Sequence, residues 1–189
     1  MVTEIELKAK VENSEALRIL LIKKAEYLGK FEKEDTYWTL PRVLDPVPTR
    51  LRIRMEKRTL PDGREESLTI ATYKTKELRA NIEINDEREF AVNPASEFEE
   101  FLTLMGLKPD IKKRKLGWAF SRDGIKAELT EVKGLGWFVE LEILTDNKEE
   151  NTINEGKKRL LDFLSELGIE KKALETRFYT EMLRELAGR

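Results

Sequence analysis

Along most of this chain, polar and apolar residues alternate with a period of two, and in four stretches the apolar residues instead recur every three or four positions. The two-residue period predicts strands near 2–11, 33–40, 49–58, 66–76, 81–92, 111–121, 125–133 and 136–144. The tripeptides PDG at 61–63, RDG at 122–124 and GLG at 134–136 read as hairpin turns, so neighbouring strands should pair antiparallel. PRVLDPVP at 41–48 reads as a loop. The helical period predicts a helix over SEALRILLIKKAEYLG, 14–29, with Ser14 as cap, Leu17, Leu20, Leu21, Ala25 and Leu28 on one stripe, and Gly29 as the stop. NPASEFEEFLTLMG, 93–106, carries Phe98, Phe101, Leu102 and Met105 on a second such stripe, and EGKKRLLDFLSELG, 155–168, and TRFYTEMLREL, 176–186, supply two more.

The polar faces of the strands are unusually charged. In EIELKAK, 4–10, Glu4, Glu6 and Lys8 oppose Ile5, Leu7 and Ala9. Arg50, Arg52 and Arg54 oppose Leu51, Ile53 and Met55, while Glu140 and Glu142 oppose Val139, Leu141 and Ile143. Lys74 and Lys76 share a face, as do Glu87 and Glu89, with Glu83 on the same parity. The apolar faces suit coverage by the amphipathic helices. Eight strands suffice to close a barrel, and closure would turn the charged faces inward. At an effective dielectric near 20, two carboxylates about 6 Å apart repel by roughly 3 kcal/mol, so facing acidic pairs call for cations. The basic groups call for a polyanion, because guanidinium groups grip phosphate oxygens bidentately. An open sheet with a wet charged face is the alternative at this point.

Composition narrows the chemistry. The 189 residues include 35 basic and 37 acidic side chains, a balance that argues against a nucleic-acid or membrane surface. With no cysteine and no histidine, disulfides, thiolate and imidazole metal sites and serine-type triads are excluded, which leaves carboxylates, lysines and tyrosines for acid–base work and a hard, oxygen-bound ion for any metal. No eighteen apolar residues follow one another, and no repeat or linker divides the chain. We therefore expect a soluble cytoplasmic protein without membrane partners, built as one domain over 1–189, with C-terminal helices at about 152–187.

The order E-x-E-x-K at 4–8, R-I-R at 52–54, Tyr73-Lys74 and E-L-E at 140–142 after GLGWF resembles the CYTH superfamily of triphosphate tunnel metalloenzymes. EDTYW at 34–38, KKRK at 112–115 and TRFYTEML at 176–183 fall in the family's order, and the likeness spans nearly the whole chain. The resemblance implies an α+β fold in which a closed eight-stranded antiparallel barrel forms a tunnel with amphipathic helices packed outside. It implies Mg²⁺ or Mn²⁺ as cofactor and a triphosphate partner: ATP, tripolyphosphate or thiamine triphosphate. Carried over by position, Glu4, Glu6, Glu140 and Glu142 would hold metal, and Lys8, Arg52, Arg54, Lys74 and Arg114 would bind phosphates, with Lys76 in reserve. Glu4, Glu6, Lys8 and Lys74 would be the catalytic set, and Glu87 and Glu89 a further acidic tunnel pair. Lys112, Lys113 and Lys115 are expected on a solvated face. One position departs from the family: Thr130 stands where an aspartate is usual, and Glu128, two residues back on the same face, is the substitute metal ligand.

The implied activity is hydrolysis of an inorganic, nucleoside or thiamine triphosphate, or cyclisation of ATP to cyclic AMP with release of pyrophosphate. A non-catalytic module for polyphosphate, nucleotides or an RNA 5′ end is the alternative. A third reading, a nucleic-acid surface with Tyr37, Trp38 and Tyr73 as stacking groups, is disfavoured by the charge balance. A homodimer is left open.

Overall fold

The computed structural model describes residues 3–39, 49–79 and 82–188. Its eight strands are β1 (Thr3–Lys10), β2 (Glu26–Thr39), β3 (Thr49–Thr59), β4 (Glu65–Arg79), β5 (Ile82–Ala91), β6 (Lys108–Arg122), β7 (Ile125–Val132) and β8 (Gly136–Thr145). They close in the order β1-β5-β4-β3-β2-β6-β7-β8, every pair antiparallel. The expected closed barrel is therefore present. Four helices accompany it: α1 (Ser14–Lys24), α2 (Ala95–Leu104), α3 (Glu150–Glu166) and α4 (Tyr179–Leu186).

The apolar core lies outside this barrel. Ile5, Leu7, Val139, Leu141 and Leu129 on the outer faces of β1, β8 and β7 are fully buried against Leu21 of α1 and Leu160, Phe163 and Leu164 of α3. Leu102 of α2 covers Trp38, Leu51, Ile53 and Ala71 on β2, β3 and β4. Period-two alternation thus separates two environments: oil between sheet and helices, and charge within the barrel.

The first helix departs from expectation. It ends at Lys24 rather than Gly29, and its cap is Asn13, whose Oδ1 accepts from Ala16 N at 3.0 Å. From Glu26 onward the chain is claimed by β6, with Glu26 opposite Ser121, and Gly29 sits at a shift of register with φ +123°. Tertiary pairing overrides the helical spacing of Ala25 and Leu28 here. β2 and β6 are correspondingly longer than their periodicity indicated. The loop expected at 41–48 lies outside the described residues.

At Gly117, opposite Thr130, β6 leaves no room for a side chain against β7. A Cβ there would meet Leu129 O at 2.1 Å, Phe31 Cζ at 2.9 Å and Thr130 Cα at 3.0 Å. Two of these three atoms belong to backbone and cannot turn aside. Gly117→Ala is expected to destabilise the fold by about 1–3 kcal/mol. For a chain of this size that is a loss of roughly 2–12 °C in Tm, measured by thermal melting. Gly63→Ala, with nothing within 4 Å of the new methyl, carries only the strain of its positive φ and should cost less.

Candidate active site

Alternation along the strands turns one charged row per strand inward, and together they line a cavity of about 650 Å³. Among the described residues its walls carry ten basic and nine acidic side chains. The near balance means that, without a ligand, the tunnel neutralises itself through internal ion pairs.

Three of the acidic groups gather about one lysine. Lys74 Nζ lies 2.8 Å from Glu4 Oε2 and 3.9 Å from Glu6 Oε2, and it also contacts Glu87. Burial would lower this ammonium, but Glu4, Glu87 and Glu6 hold it above the ordinary lysine value. Burial, with Glu87, Glu142 and Glu6 as neighbouring charges, pushes Glu4 up to about 8 against the pull of Lys74. Among the described residues no three carboxylates are already disposed about one point as metal ligands. The donor chemistry nevertheless fits a hard divalent cation, since Glu4, Glu6, Glu87 and Glu142 supply only oxygen and crowd one another enough to raise Glu4.

Glu128 and Glu140 are placed differently from this group. Glu128 accepts from Lys33 at 2.6 and 2.8 Å and lies 3.0 Å from Lys126, and Glu140 accepts from Lys115 at 2.6 and 2.7 Å and from the Tyr179 hydroxyl at 2.6 Å. Burial would raise Glu140, but Lys115 and the hydrogen bonds from Lys115 and Tyr179 take it down to about 2. Lys33 goes the other way: burial, reinforced by Arg54, Lys126 and Lys115, brings it down to about 8 against Glu128.

The expected phosphate groups are mostly gathered in the tunnel. Arg52 donates from Nη2 to Thr72 Oγ1 at 2.8 Å and to Glu89 Oε1 at 3.2 Å, yet its buried Nε has no hydrogen-bond partner. Arg54 is bidentate on Asp35, at 2.7 and 3.1 Å, and Lys8 pairs with Glu83 at 2.7 Å. Glu87 stands within the cavity, whereas the Glu89 side chain is 44% exposed. The side chains of Arg50 and Lys76 lie outside the described residues.

Arg114 requires a correction, because the structure places it on the outer surface, paired with Glu32 at 2.9 Å from Nε. It shares parity with Leu116, Trp118 and Phe120, and Phe120 is fully buried in the apolar layer outside the barrel. The opposite parity brings Lys113 and Lys115 into the tunnel, so these two are not solvated, although Lys112 is exposed as expected. Lys33, Asp35 and Lys126 also escaped sequence reasoning. Their signal was present in the alternation of K-E-D-T-Y at 33–37 and in the shared face of Lys126 and Glu128.

Helix α4 caps the tunnel where β7 turns into β8. Its Tyr179 and Met182 pack on Val132 and Phe138, and the preceding segment is tied to β1 by Glu175 N donating to Lys8 O at 2.9 Å. The ammonium groups of Lys8, Lys113 and Lys115 lie 5.3–5.5 Å from the centre of the Tyr179 ring. Thr130 is fully buried and donates to Leu116 O at 3.4 Å; it is not among the cavity-lining residues. Of the three aromatic groups weighed for stacking, Tyr37 lines the tunnel, Trp38 is buried under α2, and Tyr73 is the exposed one of the three.

Comparison with known proteins agrees with this geometry. The family model for the CYTH domain matches residues 3–179. This chain belongs to the CYTH family. A Methanocaldococcus jannaschii protein provisionally named an adenylate cyclase is 25% identical over 182 residues, covering 95% of this chain and 97% of that protein. A solved Pyrococcus horikoshii structure superposes with a TM-score of 0.82 at 29% identity, covering 98% of this CYTH chain and 99% of the other. A Hippeastrum protein, named for adenylyl cyclase and described as having a dominant triphosphatase activity, superposes at 0.66 over 100% of this chain and 97% of its own. At 18% identity that likeness speaks for the fold alone. Among the described residues no helix is long and apolar enough to cross a membrane.

The different pairing of the glutamates on β8 has a measurable consequence. Glu140→Gln removes the main partner of a Lys115 side chain that is only 4% exposed, and should cost about 3–5 kcal/mol. Glu142, 21% exposed with its nearest cation at 3.8 Å, should lose far less on the same change. Because Glu140 is lowered, its contribution is present above the ordinary carboxylate range and disappears as pH falls from about 4.5 towards 2. Thermal melts should therefore show a Tm gap between native protein and Glu140→Gln at neutral pH that closes on acidification.

Proposed function

We propose that the tunnel binds a triphosphate chain and, with a divalent cation, turns it over. The observation that carries this reading is Arg52: a buried guanidinium in the tunnel wall whose Nε lacks an acceptor, beside Arg54 and Lys113 in a cavity rich in further cations. Buried polar groups are nearly always satisfied, and a phosphate oxygen is the acceptor that suits this one. The name carried by the Methanocaldococcus protein supports a triphosphate reaction of the cyclase kind.

In this reading Glu4, Glu6, Glu87 and Glu142 hold Mg²⁺ or Mn²⁺, and Glu128 and Glu140 act as counter-ions to the lysines around them. The ion supplies charge compensation and polarisation of the phosphoryl oxygens. Arg52, Arg54, Lys8, Lys113 and Lys115 bind the phosphates and stabilise charge on their oxygens as the bond to the leaving group lengthens. Lys74 links the two sets, since it lies among the carboxylates and faces the same cavity. The single domain spans the whole chain, with α3 and α4 as its C-terminal helices.

Phosphorus NMR of the protein with tripolyphosphate or ATP and Mn²⁺ or Mg²⁺ tests the reading directly. Orthophosphate identifies a phosphatase, and cyclic AMP with pyrophosphate identifies a cyclase. Perturbed resonances without products identify a binding module, the reading that Thr130 and the lysine-paired Glu128 favour. The absence of binding by any triphosphate would sink the proposal. Independently, Arg52→Ala should raise the Kd for tripolyphosphate about ten- to a hundredfold, the value of one charged hydrogen bond, in a protein that still folds. Calorimetric titration measures it, and an unchanged Kd would remove Arg52 from the site.

A further inference from the structure

Beneath the cavity wall lies a carboxylate that the reaction just described does not use. Asp35 on β2 has a fully buried side chain and is not among the residues lining the cavity. Its two cross-strand neighbours at the same level are Arg54 on β3 and Lys113 on β6, and it holds both. Arg54 gives Nε to Oδ1 at 2.7 Å and Nη2 to Oδ2 at 3.1 Å, and Lys113 Nζ reaches Oδ2 at 3.0 Å.

The donor inventory gives this arrangement a direction. A guanidinium has five N–H donors and an ammonium three. Asp35 engages two of Arg54's, while Asp35 and the Tyr37 hydroxyl, which accepts from Lys113 at 3.0 Å, engage two of the ammonium's. The remaining donors belong to groups that line the cavity. One anion between two cations, Arg54 and Lys113, is enough to anchor them and too little to neutralise both, and Arg52 beside them pairs with Glu89 instead. Pairing for stability alone would call for one carboxylate to each cation.

We propose that Asp35 is a positioning residue: out of the ligand's reach, it locks Arg54 and Lys113 into one geometry and leaves their free donors to a phosphate. The link to phosphate rests on the triphosphate reading, whereas the control of the two cations does not.

The test compares native protein with Asp35→Asn, which keeps the shape and removes the charge. Removing an anion strengthens attraction for every polyanion, while loss of orientation weakens only the ligand that fits, so the two effects separate in a ratio. The affinity for tripolyphosphate relative to sulfate, by calorimetry, should fall about tenfold or more in Asp35→Asn. A residue that merely balances charge would leave that ratio unchanged. The Lys113 ammonium, faced by Asp35, Tyr37, Arg54, Arg52 and the Tyr179 ring, should titrate at lower pH in Asp35→Asn when followed by lysine Cε NMR without ligand. An unmoved Lys113 titration, or a preserved ratio in the folded variant, overturns the proposal. If native protein binds no tripolyphosphate, the triphosphate reading fails, and the ligand-free titration still decides the role of Asp35. Should Asp35→Asn not fold, Asp35→Asn/Lys113→Met has one cation fewer to bury. The Arg54 Nε–H resonance should then exchange with water faster than in Lys113→Met alone, and equal exchange overturns the proposal.

Discussion

A charge enclosed by a closed sheet has lost most of its water, so it must be neutralised by a neighbour on another strand. That requirement shapes this protein. Lys33 with Glu128, Lys115 with Glu140, Lys8 with Glu83 and Arg54 with Asp35 each join residues distant in sequence, and the members of each pair are buried or nearly so. Stability cannot be the reason for so many buried pairs, because apolar residues of similar volume would often do as well or better. On the proposed function the pairs are a standing reserve of charge, matched internally and available to an outside ion of either sign.

An incoming polyanion in such a tunnel does not simply add contacts. Each phosphate oxygen that takes a lysine releases a carboxylate, and a released carboxylate in low dielectric needs another cation. On the proposed function a triphosphate and a divalent ion would be complementary demands of one balance, and either alone would leave the barrel with an excess. The lowered Glu140 and raised Glu4 are two ends of this distribution: Lys115 and Tyr179 both donate to Glu140, whereas Glu4 is buried and shares Lys74 with Glu87 and Glu6.

Much of the fold was legible because the barrel uses both faces of every strand. Apolar positions had to meet helices and charged positions had to meet one another, so a period of two carried the closed barrel even though no single strand proved it. The end of α1 was not legible, since what ends the helix is β6, nearly a hundred residues away. Arg114 was misplaced because a basic run such as KKRK looks alike on either parity; Leu116, Trp118 and Phe120 carried the information that turns it outward. The inward face of Asp35 could be counted from K-E-D-T-Y, but its role could not. A lone aspartate in a polar strand is ordinary, and its meaning lies in the register that sets Arg54 on one side and Lys113 on the other.

The seam of the barrel has a consequence for how the protein comes into being. β1 is hydrogen-bonded to β5 on one side and β8 on the other, with Glu6 facing Glu83 across one ladder and Glu142 across the second. Of the eight barrel strands, the earliest in sequence thus closes the barrel with the latest. Long-range closure of this kind is slow compared with local hairpins such as β6–β7. Glu142 therefore joins the acidic cluster only with the ladder that closes the barrel, and without β8 the strands form no tunnel.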